Sequence, residues 1–183
     1  MNDPDLEIYC LQAEKEGALH AKQIPAESVV TAAWTRFKCQ FGCPAYDTNY
    51  CCPPYTPTAD KTREIISCYR RGLLFHFQVP GDPKGYSFFK DWKKNFMLLL
   101  DLEKKMFKDG YYKVLLFLAG PCLLCRKCEK LEGSACKFPE LARPSMEGCG
   151  IDVFQTVRNN GFQVEPLCEK GEDQNVFCLM LVD

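Results

Sequence analysis

The chain has 183 residues, 46% apolar and 13% aromatic, with a formal net charge of −1. Such a length and composition suit one globular domain with its own core and exclude a disordered chain. The near-neutral balance leaves no electrostatic footprint for nucleic acid, and no window reaches the roughly 18 consecutive apolar residues of a membrane span.

The first 28 residues are polar and mixed, with Glu7–Gln12 reading as a short strand. The alternating, β-branched stretch Val29–Phe37 predicts an extended segment running into Cys39. In residues 39–57, Pro44, Pro53, Pro54 and Pro57 forbid a regular helix or central strand, so a loop is expected. Thr58 is an N-cap for a helix to about Arg71, stopped by Gly72. Leu73–Val79 is a strand and residues 80–83 a turn; the segment Gly81–Gly85 lacks the spacing of a phosphate loop. Ser87 caps a long helix over about 88–108. Phe89, Trp92, Phe96, Leu99, Leu100 and Met106 recur there at helical spacing, and Asp109-Gly110 ends it. Tyr112–Leu118 is a continuous apolar strand, expected at the sheet centre. A second loop covers 120–149. Asp152–Asn159 is a short helix stopped by Asn160-Gly161, and Phe162–Leu167 and Val176–Val182 are closing strands. This order predicts a single-domain α/β (α+β) fold, a mixed sheet with packed helices and two Cys-rich metal-binding loops, each following a strand.

Thirteen cysteines require a reason. The N-terminal MNDPDLEIYC lacks an apolar stretch of signal-peptide length, so a cytoplasmic location with reduced thiols is expected. The odd count also argues against a disulfide framework. With His20 and His76 as the only histidines, a metal must be held mainly by thiolates, which select zinc or iron–sulfur clusters. The run Cys122-Leu-Leu-Cys125-Arg-Lys-Cys128 has the C-x2-C-x2-C core of a ferredoxin, with Cys136 following at longer range. Zinc ribbons instead pair one C-x2-C with a separated second pair, so the spacing favours a cluster over zinc. In the first loop, Cys39, Cys43, Cys51 and Cys52 precede Pro53-Pro54, which would place apolar rings beside a sulfur and limit water access. Cys51 and Cys52 are adjacent, and neighbouring side chains on extended chain point to opposite sides. Cys52 is the expected ligand. The plainer alternative is a Pro-rich turn with ordinary buried thiols.

Three motifs occur in order: Lys38-Cys39-Gln40…Cys43…Tyr46…Cys52-Pro53-Pro54-Tyr55-Thr56-Pro57, then Gly120-Pro121-Cys122…Cys125…Cys128…Cys136, then Ala142-Arg143-Pro144-Ser145-Met146-Glu147…Gly150-Ile151-Asp152-Val153. Together they resemble the predicted metal-binding protein family, domain of unknown function 2284, found mostly in anaerobic bacteria and archaea. The resemblance covers about residues 28–183 and implies metal binding, leaving iron and zinc open. It implies Cys39, Cys43, Cys52, Cys122, Cys125, Cys128 and Cys136 as the motif cysteines, with Cys51 a departure. Seven is one short of two four-thiolate sites, and Cys149, between Gly148 and Gly150, is the natural eighth. By ferredoxin logic Cys136 completes the site of Cys39, Cys43 and Cys52, and Cys149 that of Cys122, Cys125 and Cys128; the reverse pairing stays open.

Other residues have a functional and a plainer reading. Arg143 and Ser145 offer an anion site or a cap with an ion pair. Glu147 and Asp152 offer an acid or base, or first-turn carboxylates. Arg126 and Lys127 would tune a cluster or dock an acidic partner, or are simply solvated. Tyr46 and Tyr55 would shield the first cluster, or merely pack. His76 reads as structural, Cys68 and Cys178 as core thiols, and Cys10 and Cys168 stay unassigned. The expected function is one or two [4Fe–4S] clusters passing single electrons to a redox partner protein in anaerobic metabolism, with no nucleic-acid or membrane partner. The alternatives are an enzyme with an open iron position for redox or sulfur chemistry, and a zinc-stabilised structural module.

Overall fold

A computed structural model describes residues 4–81, 86–169 and 171–183. Residues 82–83 of the turn expected at 80–83 and residues 82–85 of the segment Gly81–Gly85 fall outside this range, and the side chain of Ser87 is likewise outside what is described. The helices are α1 (Pro4–Glu16), α2 (Ala33–Gly42), α3 (Ala59–Ile66), α4 (Tyr86–Lys108) and α5 (Val153–Asn159). The strands are β1 (His20–Pro25), β2 (Arg71–Val79), β3 (Leu115–Phe117) and β4 (Gln174–Leu181). The architecture is α+β. No helix among the described residues is long and apolar enough to cross a membrane.

The sheet order is β1-β2-β4-β3, and every pairing of named strands is antiparallel. The expected mixed sheet is corrected, for a definite reason. β2, α4 and β3 form a strand–helix–strand unit whose two strands run the same way, as the chain order predicts. β4 inserts between them antiparallel, pairing Phe75 with Cys178 on one side and Leu116 with Met180 on the other. β3 is therefore an edge strand rather than the sheet centre. A single parallel bridge, Leu118 to Ser145, covers its end. Its apolar run reflects burial on both faces: Leu116 and Leu118 point to one core, Phe117 to the other.

Period-2 alternation sorts the strands between those two cores. On one face Leu73, Phe75, Phe77, Val176, Cys178 and Met180 meet α1 and α4. On the other, Leu74, Phe177, Leu179 and Leu181 meet Met146, Cys149, Ile151 and Val157. Segment 7–12 is helical, not a strand, because Leu6, Tyr9, Cys10 and Ala13 recur at helical spacing and are all buried. Of Val29–Phe37, only the start is extended: Thr31 bridges Ile151, and α2 begins at Ala33. The first cysteine loop thus follows a helix. Thr58 caps α3 through Lys61 N, as expected, but the helix ends at Ile66, which leaves Cys68 exposed rather than in the core. Residues 162–167 form no strand. Phe162 lies across the sheet face instead, against the rings of His20, His76 and Phe177.

One buried ion pair joins the fold to the second cysteine loop. The Glu103 carboxylate on α4 is almost fully buried, accepts Leu116 N at 2.9 Å, and is paired by Arg143 Nε at 2.9 Å. Removing one partner leaves the other charge unpaired in a dry setting. Arg143→Ala is expected to cost about 2–3 kcal/mol in urea denaturation; a change within experimental error would show that the pair is solvated.

Candidate metal centre

The two cysteine loops meet beyond the end of β3: Cys149 belongs to the core on one face of the sheet, while Leu123 and Leu124 of the second loop pack against the core on the other. Cys39 lies on the last turn of α2, and Cys43 caps it, its N–H donating to Cys39 O at 3.2 Å. The chain before α2 is laced to the segment after Cys149: Ala32 N donates to Gly150 O, and Asp152 N to Val30 O, both at 2.8 Å. Met146 N in turn donates to Leu118 O at 2.8 Å, which sets the turn carrying Cys149 against the end of β3. Arg36 ties three segments together. Its Nη1 donates to Thr56 O, Pro57 O and Gly148 O at 2.7–3.0 Å. Thr62 Oγ1 donates to Cys149 O at 2.6 Å. Gly150 has a positive φ of 81°, and a Cβ there would lie 2.7 Å from Ala59 Cα. Its lack of a side chain serves this packing against α3.

The loops are also stitched to each other. Tyr50 OH donates to Ser134 O at 2.7 Å. Lys130 pairs with Asp47 and stands over the Tyr55 ring. Tyr50 and Tyr55 pack edge to face at 5.5 Å.

This assembly sorts the thiols into two groups. Cys51, Cys122, Cys125, Cys128 and Cys136 line one cavity of about 230 Å³. Within it the Cys51 and Cys122 side chains hydrogen-bond to each other. Cys39, Cys43, Cys52 and Cys149 form the other group, around the Glu147 carboxyl. Cys149 therefore accompanies Cys39, Cys43 and Cys52, and Cys136 accompanies Cys122, Cys125 and Cys128, the reverse of the ferredoxin-style pairing. Cys51 and Cys52 part company within a turn, one joining each group. The Asn49 side chain holds the junction: its Oδ1 accepts Cys51 N at 3.0 Å, and it also bonds the Cys52 thiol.

Burial sets the acid–base character of these thiols. It pushes Cys52 up to about 11, against the Asn49 bond, with Cys43, Cys39 and Glu147 adding to the rise. It pushes Cys149 up to about 12, against the Arg36 charge. Cys39 and Cys125 rise for the same reason, reinforced by neighbouring thiols. The exception is Cys122, which is lowered because Cys51 donates a hydrogen bond to it; Cys51 is raised by the same bond. Burial also raises the Glu147 carboxyl. Its Oε2 is sealed from solvent without a hydrogen-bond partner.

The residues fit a cationic group. Gathered soft sulfur donors suit zinc or iron–sulfur clusters, and an orphaned carboxylate oxygen among thiols is costly unless a cation is nearby. Among the described residues, no three His, Cys, Asp or Glu side chains meet at the spacing of a single-ion site. The family model of predicted metal-binding proteins (DUF2284) matches residues 22–182. The chain belongs to this family. No curated protein and no solved structure matches it. This DUF2284 chain is thus a cysteine-rich member of a family of predicted metal-binding proteins.

Several residues take their plainer reading. Arg143 is engaged by Glu103, and Ser145 Oγ accepts Gly148 N at 2.9 Å. Asp152 caps α5 through Gln155 N at 3.0 Å. His76 stacks on Phe177 at 4.5 Å and pairs with Asn175 at 2.8 Å, a structural role. Cys10 and Cys178 are buried core thiols, and Cys168 is exposed. Sequence reasoning missed Arg36 and Asn49, whose roles depend on partners distant in the chain or on loop shape. It also set aside Cys51, although its adjacency to Cys52 was a usable signal.

Two outcomes follow from this geometry. Arg36→Ala removes the charged tie from residues 56–57 to 148 and leaves only the Thr56 Oγ1 bond to Gly148 O, so Cys149 should react with a thiol reagent at least several-fold faster in the metal-free protein; an unchanged rate would mean the charged tie is redundant. Thiols bind metal as thiolates, and burial raises those of Cys39, Cys52 and Cys149, so loading releases protons. Zinc affinity, read by chelator competition, should therefore rise about tenfold per pH unit for each proton released. Equal affinity at pH 7 and 8 would contradict the raised values.

Proposed function

We propose that this chain binds two [4Fe–4S] clusters and passes single electrons to a partner protein in anaerobic metabolism. The first centre takes Cys39, Cys43, Cys52 and Cys149, and the second Cys122, Cys125, Cys128 and Cys136, making residues 1–183 one iron–sulfur domain. The observation that carries this reading is the sorting of the thiols into two groups, each with at least four sulfurs. The second group gathers around a space rather than on a point. Zinc would draw its sulfurs to about 2.3 Å from one centre, whereas a cubane spreads its thiolates over four corners. Such clusters supply one-electron redox chemistry. The chain's own contribution is to bury Cys52 and Cys149, shield them with the buried Pro53, and fix the loops through Arg36 and the Tyr50 bond.

A second reading is favoured by one observation. A largely apolar cavity of about 830 Å³ flanks Cys39 and Cys43, walled by Trp34, Phe37, Phe154 and Phe177. That volume is typical of small-molecule sites. It supports an enzyme in which an iron of the first centre is open to substrate.

Anaerobic purification with metal and sulfide analysis tests the main reading. About eight iron and eight sulfide per chain are expected, with a reversible one-electron couple in a redox titration. Stoichiometric zinc without sulfide would replace this reading with the structural zinc module. A first-centre spectrum perturbed by cyanide or a small thiol would move the assignment to the enzyme.

A further inference from the structure

We propose that Cys51 is a thiolate ligand of the second centre, so that two adjacent residues, Cys51 and Cys52, hold one centre each. The inference rests on the two-centre reading and extends it to a residue outside the family's motif cysteines.

Four observations converge on it. Cys51 lines the same cavity as Cys122, Cys125, Cys128 and Cys136. Its thiol stands within hydrogen-bonding reach of the free thiol of Cys122, the first residue of the C-x2-C-x2-C run. It is the most buried of the five, at 7% exposure, while the other four are half-buried. Its backbone is pinned by Asn49, and Asn49 also contacts the Cys52 thiol, so the divergence of the two side chains is built into the loop. The divergence is set by the turn that Cys51 and Cys52 occupy rather than by a strand. A loop between two groups of sulfurs can then serve both from consecutive positions.

Two consequences follow. The second cavity holds five sulfurs for the four corners of a cubane, so ligation by Cys51 leaves one of the four loop cysteines assigned above as a spare thiol. The two centres are also joined by one peptide unit, the shortest covalent link that two separate ligands allow.

The test uses the full chain, purified anaerobically and reduced with dithionite, and reads each centre by low-temperature electron paramagnetic resonance. Cys39→Ser and Cys125→Ser identify the signals of the first and second centres. Cys168→Ser, at an exposed cysteine, is the control. Cys51→Ser should alter the signal that Cys125→Ser alters and leave the other intact, and Cys52→Ser should do the reverse. A Cys51→Ser spectrum identical to the unaltered protein, or a change in the first-centre signal only, overturns the proposal. Should Cys51→Ser fail to fold by circular dichroism, paramagnetic NMR of the unaltered chain decides. Hyperfine-shifted β-protons assigned to Cys51 support ligation, and their absence from Cys51 refutes it. If the unaltered chain contains no cluster, the two-centre reading itself fails. If both reference variants behave as expected and only Cys51 is silent, that reading stands and this inference alone falls.

Discussion

The arrangement depends on the Arg36 guanidinium. One nitrogen on α2 holds the carbonyl oxygens of Thr56, Pro57 and Gly148, which belong to segments more than ninety residues apart. The tie reinforces two neutral bonds that also hold residues 56–62 to the glycine-flanked turn, Thr56 Oγ1 to Gly148 O and Thr62 Oγ1 to Cys149 O. Hydrogen bonds from a charged donor are among the stronger polar contacts in a protein, and this one also satisfies backbone oxygens that the loops cannot pair internally. Cys39, on the same helix as Arg36, is thereby fixed relative to Cys52 on one side and Cys149 on the other.

The sheet supplies the second constraint. β4 enters between β2 and β3, so β3 becomes an edge whose end receives the turn at 145–149. Trp92 Nε1 donates to Ala119 O at 3.1 Å, anchoring the point where the chain leaves the sheet for the second cysteine loop. The loops are irregular, yet both ends of each are held by packed elements. That is how a mobile class of structure can position ligands with accuracy.

The thiols are opposed to one another electrostatically. Burial keeps most of them protonated, and close thiols raise each other further. Only a bound cation relieves this, so the same packing that weakens the bare site couples metal binding to proton release. The Cys51–Cys122 pair shows the point locally: one sulfur is favoured as thiolate only because the other donates to it.

Much of the chemistry was legible in the sequence. The C-x2-C-x2-C run, the Cys-Pro-Pro step, the scarcity of histidine and the odd cysteine count speak through local spacing and composition alone. So do the N-cap at Thr58, the long amphipathic α4 and the strands β2 and β4, whose patterns are short-range. Tertiary structure decided which cysteines stand together. The partners of Cys149 and Cys136, the separation of Cys51 from Cys52 and the edge position of β3 depend on where β4 inserts and where Arg36 ties the loops. Those contacts join residues distant along the chain, and sequence periodicity does not encode them.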